Sequence, residues 1–316
     1  MSNKNKLFVL LIGFVVLTSL YLTIGLNEAN WNYALSRRIP KTIAIIVTAF
    51  SIAFSTVVFQ TITNNRILTP SVLGLDSLYL LVQTTIVFIL GSRTLDIIDA
   101  RTNFIISILI MMMFSIIIYK FLFKKEGRNI YFLLLIGMVF STLFQSMSSF
   151  MQMLIDPNEF SIVQNNMFAS FNNINTNLLG FSSAIFLGSA LYSIPHIYKM
   201  DVMSLGKEHA INLGIDYNSM VKKMLFVTIV MISVSTALIG PITFLGLLVV
   251  NLSREIIDTY EHKYLIIASM IISGISLIGG QLIVERLFNY STPISVIINL
   301  IGGIYFIWLL LKEKKL

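Results

Sequence analysis

The chain has no cysteine, three histidines among its 316 residues, and only 12% Asp, Glu, Lys and Arg together. Without cysteine there are no disulfides, no thiolate metal sites and no cysteine nucleophile. His196, His209 and His262 are too scattered along the chain to form a convincing metal or catalytic cluster. There is no His-Glu-x-x-His, no Gly-x-Ser-x-Gly and no credible carboxylate pair, which argues against an intramembrane enzyme. A Gly-x-x-x-x-Gly-Lys-Ser/Thr loop is also missing. At Gly206-Lys207 the earlier glycine would have to fall on position 201, which is Asp201, so the chain has no P-loop with which to bind ATP.

What is present is apolar sequence. Hydrophobic residues make up 56% of the chain and the mean hydropathy is +0.85, more than the core of a soluble domain can hold, so the chain reads as a polytopic membrane protein. Each crossing of a core about 30 Å thick needs roughly 20 apolar residues. Apolar runs between polar breaks predict ten spans, near 7–26, 42–62, 71–91, 103–122, 130–150, 176–198, 224–239, 241–256, 264–284 and 294–311. The opening MSNKNKLFVLLIGFVVLTSLYLTIGL begins like a signal peptide, but its apolar run is too long and no small-residue cleavage site follows, so it reads as the first span.

The seventh and eighth spans depend on Gly240-Pro241, read as a tight reversal with Pro in the first turn of the new helix. Charge favours that reversal. With ten spans both termini share a side, and sixteen of the 22 Lys and Arg residues fall there. By the positive-inside rule that side is cytoplasmic, which also accounts for the net charge of +7 without invoking nucleic acid.

Against this background DVMSLGKEHAINLGIDYNSMVKK, residues 201–223, is a polar island on the cytoplasmic side. Its spacing fits one or two short amphipathic helices punctuated by Gly206 and Gly214, and equally a solvated loop. Within the spans, Ser141, Gln145, Ser148 and Gln152 recur on one face with Ser149 beside it. They mark a candidate translocation path, because two glutamines facing lipid are costly. Thr48, Ser51 and Ser55 make a shorter stripe that helix packing explains as well. Between the fifth and sixth spans, Phe160, Val163, Met167, Phe168 and Phe171 share a helical face of an interfacial helix. Asn172, Asn173, Asn175 and Asn177 follow as hydrogen-bond donors or helix terminators. Arg38, Lys41 and Arg286 break the positive-inside trend and suit either protein docking or headgroup contact. Asp76 and Glu285 read as structural, and the methionines as packing.

SLGKEHAINLGI followed by GPITFLGLLVVNLSR resembles the motif pair of the FecCD/BtuC-like permeases of iron-chelate and cobalamin ABC importers. RRIPKT at 37–42 is similar to that family's Arg-x-Pro-Arg, TITNNRILTPSVLGLDS at 61–77 to its Asn-Pro segment, and IGGIYFIWLLLK to its last helix. TNNRILTPSVLGLDSLY and SSFMQMLIDPNEF look most like the petrobactin and anguibactin branch. The chain departs from the family at Val250-Asn251, where Pro-His is usual, and in FASFNN, where many relatives carry Trp.

The resemblance implies an all-α, BtuC-like (type II importer) permease of one transmembrane domain, 1–316, with about ten helices. It implies cytoplasmic coupling helices at 201–216, with Leu205, Gly206, His209, Ala210, Leu213 and Gly214 docking in the ATPase. It also implies an outer gate helix at 156–172, with Phe168 and Phe171 on the path beside Ser141, Gln145, Ser148 and Gln152. Arg38, Lys41 and Arg286 would meet the substrate-binding lipoprotein. The implied function is import of ferric siderophore, of catecholate type, across the cytoplasmic membrane of a bacterium. Partners would be an ATPase that uses the ATP, a second homologous permease, the lipoprotein and membrane lipids; this chain itself would hold no metal or cofactor. The alternatives are an ion-coupled secondary transporter, or the same fold importing cobalamin or haem.

Overall fold

The structure, a computed structural model, describes residues 2–28, 31–91, 99–123, 130–172 and 174–313. Arg93, Lys124, Lys125, Arg128, Asn173, Lys314 and Lys315 lie outside them. The described residues form helices and no strand. Among the described residues seven helices are long and apolar enough to cross a membrane, and two shorter apolar helices join them.

Helix α2 (Trp31–Thr63) is the central post. Its apolar window is 83% buried, against 6% for α1 (Asn3–Thr23), which lies at the lipid-facing rim. The difference follows from side-chain size: Ala44, Ala49, Ala53, Ser51 and Ser55 let neighbouring helices close in on α2. Thr48, Ser51, Ser55, Thr56 and Thr61 are all buried there, so the second-span stripe is packing. The helix also starts earlier than its apolar run. It passes through Pro40, so the RRIPKT segment before the predicted span is already helical.

After α2, a 3₁₀ turn (Pro70–Leu73) leads into α3 (Leu75–Leu90), α4 (Ala100–Phe123) and α5 (Ile130–Leu154). Helices α3 and α5 run parallel and zip through hydroxyl pairs seven residues apart: Ser77–Ser141 and Thr84–Ser148, both 2.7 Å between oxygens. Gly137 makes this approach possible, since a Cβ there would lie 2.5 Å from the Val72 carbonyl oxygen.

Short helix α6 (Pro157–Met167) is capped by Asp156, whose carboxylate accepts the Asn158 N–H at 3.0 Å. Helix α7 (Thr176–Ser193) continues through a 3₁₀ turn (Ile194–His196) into α8 (Ile197–Met203), and α9 (Lys207–Asn212) follows. The chain ends with α10 (Tyr217–Ile239), α11 (Leu245–Ile256), α12 (His262–Arg286) and α13 (Ile294–Glu313).

The chain does reverse at Gly240-Pro241. At the start of α10, Tyr217 Oη donates to the Ile62 carbonyl at 3.3 Å; at the end of α11, Lys6 Nζ donates to the Ile256 carbonyl at 2.8 Å. Both contacts lie at the end of the bundle where α1 begins, called here the near end. Helix α11 starts only at Leu245, so Pro241 sits in a non-helical link rather than in a first turn. With 12 residues α11 is about 18 Å long, a half-span whose entry is the extended stretch before it.

Candidate functional site

At the near end the polar island is ordered as helices. Gly206 has φ +100°, a conformation costly for any residue with a Cβ, and opens α9 where Ala210 N–H returns to its carbonyl at 3.0 Å. Gly214 N–H then caps Ile211 at 2.9 Å, and Asp216 Oδ1 accepts the Ser219 N–H at 3.1 Å to start α10. Met200, Met203 and Ala210 are buried against the bundle. Leu205, Ile211 and Leu213 point out, each at least half exposed, and His209 is exposed beside them. Three exposed aliphatics on a short polar helix pair form an apolar contact surface held outside the apolar bundle.

That surface is fastened from behind. Asp201 on α8 accepts both the backbone N–H and the Nδ1–H of His262 at 2.7 Å, while His262 Nε2 lies 2.8 Å from Thr61 Oγ1 of α2. His262 is 3% exposed. The dismissal of the histidines as scattered missed this, because its partners lie 61 and 201 residues away.

The fifth-span stripe divides between two faces. Ser141 and Ser148 face α3, and Gln152 Nε2 donates to Ser148 Oγ at 3.0 Å, so three of the four polar residues are satisfied within the chain. Gln145 is exposed, and with Thr142, Ser146 and Ser149 it forms a second polar face, at i, i+3, i+4 and i+7, that looks away from the bundle. The sequence reading named Gln145 and Ser149 but not that face.

At the far end, a cavity of about 500 Å³ opens between α3, α4, the α6–α7 link and the end of α10. Amides line it: Gln83 exchanges hydrogen bonds with Asn103 at 3.1 Å and accepts one from Asn166 at 3.4 Å. Phe168 lines the cavity, whereas Phe171 is buried in the main core. The apolar face of α6, with Phe160, Val163 and Met167, packs on Val87 of α3. Asn175 caps α7 through the Asn177 N–H, and Asn172 accepts from Gln281 at 3.3 Å.

Arg38, Lys41 and Arg286 at the far end all bond within the chain. Arg38 donates to the Leu22 and Ile24 carbonyls at 3.0 and 2.7 Å, and Arg286 to Ile24 at 3.0 Å, so together they satisfy the open carbonyls at the end of α1. Lys41 forms a largely buried ion pair with Glu285 at 2.6 Å, which also accepts Tyr21 Oη and Gln281 Nε2, both at 2.9 Å. Among the described residues no cluster of His, Asp and Glu could hold a metal ion.

The described residues thus form a membrane-spanning helical bundle with a half-span and an exposed helix pair at one end. The sequence profile of the FecCD transport family matches residues 6–312, and the chain belongs to that family. It is similar to the petrobactin import system permease protein YclO of Bacillus subtilis (strain 168), with 59% identity over 315 residues covering 100% of this chain and 99% of that one. The petrobactin import system permease protein FatC of Bacillus anthracis is 35% identical over 293 residues, 93% of this chain and 83% of that one. A solved structure of a metal-chelate type ABC transporter in an inward-facing conformation superposes with a TM-score of 0.86 at 23% identity. The match covers 98% of this chain and 100% of that one, a likeness of fold.

Proposed function

We propose that this chain is one permease of an ATP-driven importer that carries a ferric siderophore, a petrobactin-like catecholate chelate, across the cytoplasmic membrane of a bacterium. The observation that carries this reading is the likeness to a petrobactin import permease along the whole of both chains. The near end faces the cytoplasm, as the positive-inside rule asks: Lys4, Lys6, Arg66, Lys199, Lys207, Lys222, Lys223, Arg254 and Lys263 gather there.

On this reading the exposed Leu205, Ile211 and Leu213 dock in a separate ATPase, and Gly206, His209, Ala210 and Gly214 shape the helix pair that does so. The outward polar face of α5 lines the path once a second, homologous permease closes the other side, because a glutamine and three hydroxyls on lipid would be unfavourable. Residues 156–172 form the outer gate, and an extracytoplasmic lipoprotein delivers the chelate to the far end. Arg38 and Arg286 shape that landing surface from within, by holding the end of α1.

The test is uptake of a panel of radio-iron siderophores in cells with and without the chain, under iron limitation. Selective loss of petrobactin-type chelates supports the proposal. Loss of haem or cobalamin uptake instead would move the cargo, and unchanged uptake of everything in a strain without a redundant importer would return the chain to ion-coupled transport.

A further inference from the structure

Where α8 passes beside the first turns of α10, a cavity of about 240 Å³ lies between His196 and Lys199 on one side and Asp216, Ser219 and Lys223 on the other. Two lysines, a histidine and a serine line it with a single aspartate. That carboxylate is already engaged, since Asp216 Oδ1 accepts the Ser219 N–H. Among the described residues no Asp or Glu lies within salt-bridge distance of Lys199 or Lys223. The His196 ring stacks on Tyr192, at 5.2 Å between centroids, and its Nδ1 donates to the Tyr192 carbonyl at 3.0 Å, which leaves Nε2 as its other polar atom.

The depth of the cavity in the membrane follows from its neighbours. Leu191 at the end of α7 and Ile194 in the following 3₁₀ turn, both more than half exposed, precede it on the membrane side, and Phe226, nearly half exposed, lies one turn deeper than Lys223 on α10. On a chain that spans a membrane such side chains meet acyl chains. Exposed Tyr192 and Tyr198 mark the adjoining headgroup layer. The basic cavity therefore opens where a phospholipid carries its phosphate, directly below an apolar strip for the tails.

We propose that this cavity binds the phosphate of an anionic phospholipid, with Lys199 and Lys223 as its cationic partners and Ser219 as a hydrogen-bond donor. A zwitterionic lipid brings its own cation and gains less. The bound lipid bridges α8 and α10 on either side of α9, so it braces the exposed helix pair.

The test is native mass spectrometry of the full chain equilibrated with phosphatidylglycerol or phosphatidylcholine. Each lysine near a charged surface contributes about fivefold, so the preference for phosphatidylglycerol should be roughly 30-fold and should vanish in Lys199→Gln/Lys223→Gln. Lys207→Gln, on α9 and outside the cavity, should keep it. Equal retention of both lipids by the wild type, or a double variant that keeps the preference, would overturn the proposal. So would displacement of the lipid by millimolar inorganic phosphate, which assigns the site to a free anion. Intact lipid preference with lost ATPase binding in the double variant would instead assign the lysines to an acidic protein segment.

Discussion

Asp201 and His262, 61 residues apart, are joined twice through one oxygen: Asp201 Oδ1 accepts the backbone N–H and the imidazole Nδ1–H of His262, each at 2.7 Å. Because Nδ1–H donates to Asp201, Nε2 is the atom that meets Thr61 Oγ1. Helix α8, which carries the exposed α9, is thereby tied to the first turn of α12 and the last turn of α2. A force applied at α9 then reaches the central post of the bundle through hydrogen bonds rather than through a loose linker.

Asp201→Ala leaves two donors buried beside it, and removing one partner of a buried, charge-assisted pair costs about 3 kcal/mol. Thermal unfolding in detergent should show that loss, with Asp201→Asn milder. A double-mutant cycle with His262→Gln should give an interaction of at least about 1 kcal/mol, and strictly additive effects would mean that the two residues share no energy. In the assembled importer the same variants should transport less substrate per ATP hydrolysed, whereas a merely less stable chain would lower both rates together.

The Lys41–Glu285 pair predicts a loss in the single variant that a second substitution relieves. Lys41→Met strands a carboxylate that is only 7% exposed, at a cost of about 3 kcal/mol, while Lys41→Met with Glu285→Gln removes the charge and should recover much of it. The readout is unfolding of the two variants side by side. A single variant as stable as the wild type would show that Lys41 is free to serve a docking partner.

Polarity out of place was legible in the sequence; partnership across the fold was not. The island at 201–223 stood out because charge is scarce elsewhere, and Gly240-Pro241 because no single helix could hold the run around it. Periodicity gave Ser141 and Ser148 a common face but not a neighbour. The signal that names it is the same seven-residue spacing on α3, Ser77 and Thr84, visible once two parallel helices are laid side by side. The partners of Arg38, Lys41 and Arg286 were not legible, because their acceptors are a helix end and a glutamate far off in sequence. The predicted second span began at 42 because apolar runs mark only the lipid-spanning part of a helix, whereas the helix itself starts at Trp31 and carries Pro40 and three cations.

Gly137 tests the zipper directly. Gly137→Ala gains about 1 kcal/mol of helix propensity but drives a methyl into the Val72 carbonyl, a backbone atom that cannot rotate away. The clash should dominate, with a net loss of about 1–2 kcal/mol. Gly188→Ala on α7, where nothing lies within 4 Å of the added carbon, should be neutral or stabilising. Equal unfolding temperatures for the two variants would mean that α3 and α5 can move apart.

The absence of cysteine makes the two faces of α5 separable by chemistry, since any single introduced thiol is the only one in the chain. Gln145→Cys and Ser149→Cys sit on the outward polar face, whereas Ser148→Cys sits against Thr84. If the outward face lines a water-filled path between two permeases, a charged maleimide should label the first two in the assembled importer and leave the third on the order of tenfold slower, because only a hydrated thiolate reacts. Labelling at Gln145→Cys should also block uptake. Uniform protection of all three positions would place that face against lipid or a dry interface and move the path to other helices. Fast labelling at Ser148→Cys would show that the α3–α5 zipper opens during transport.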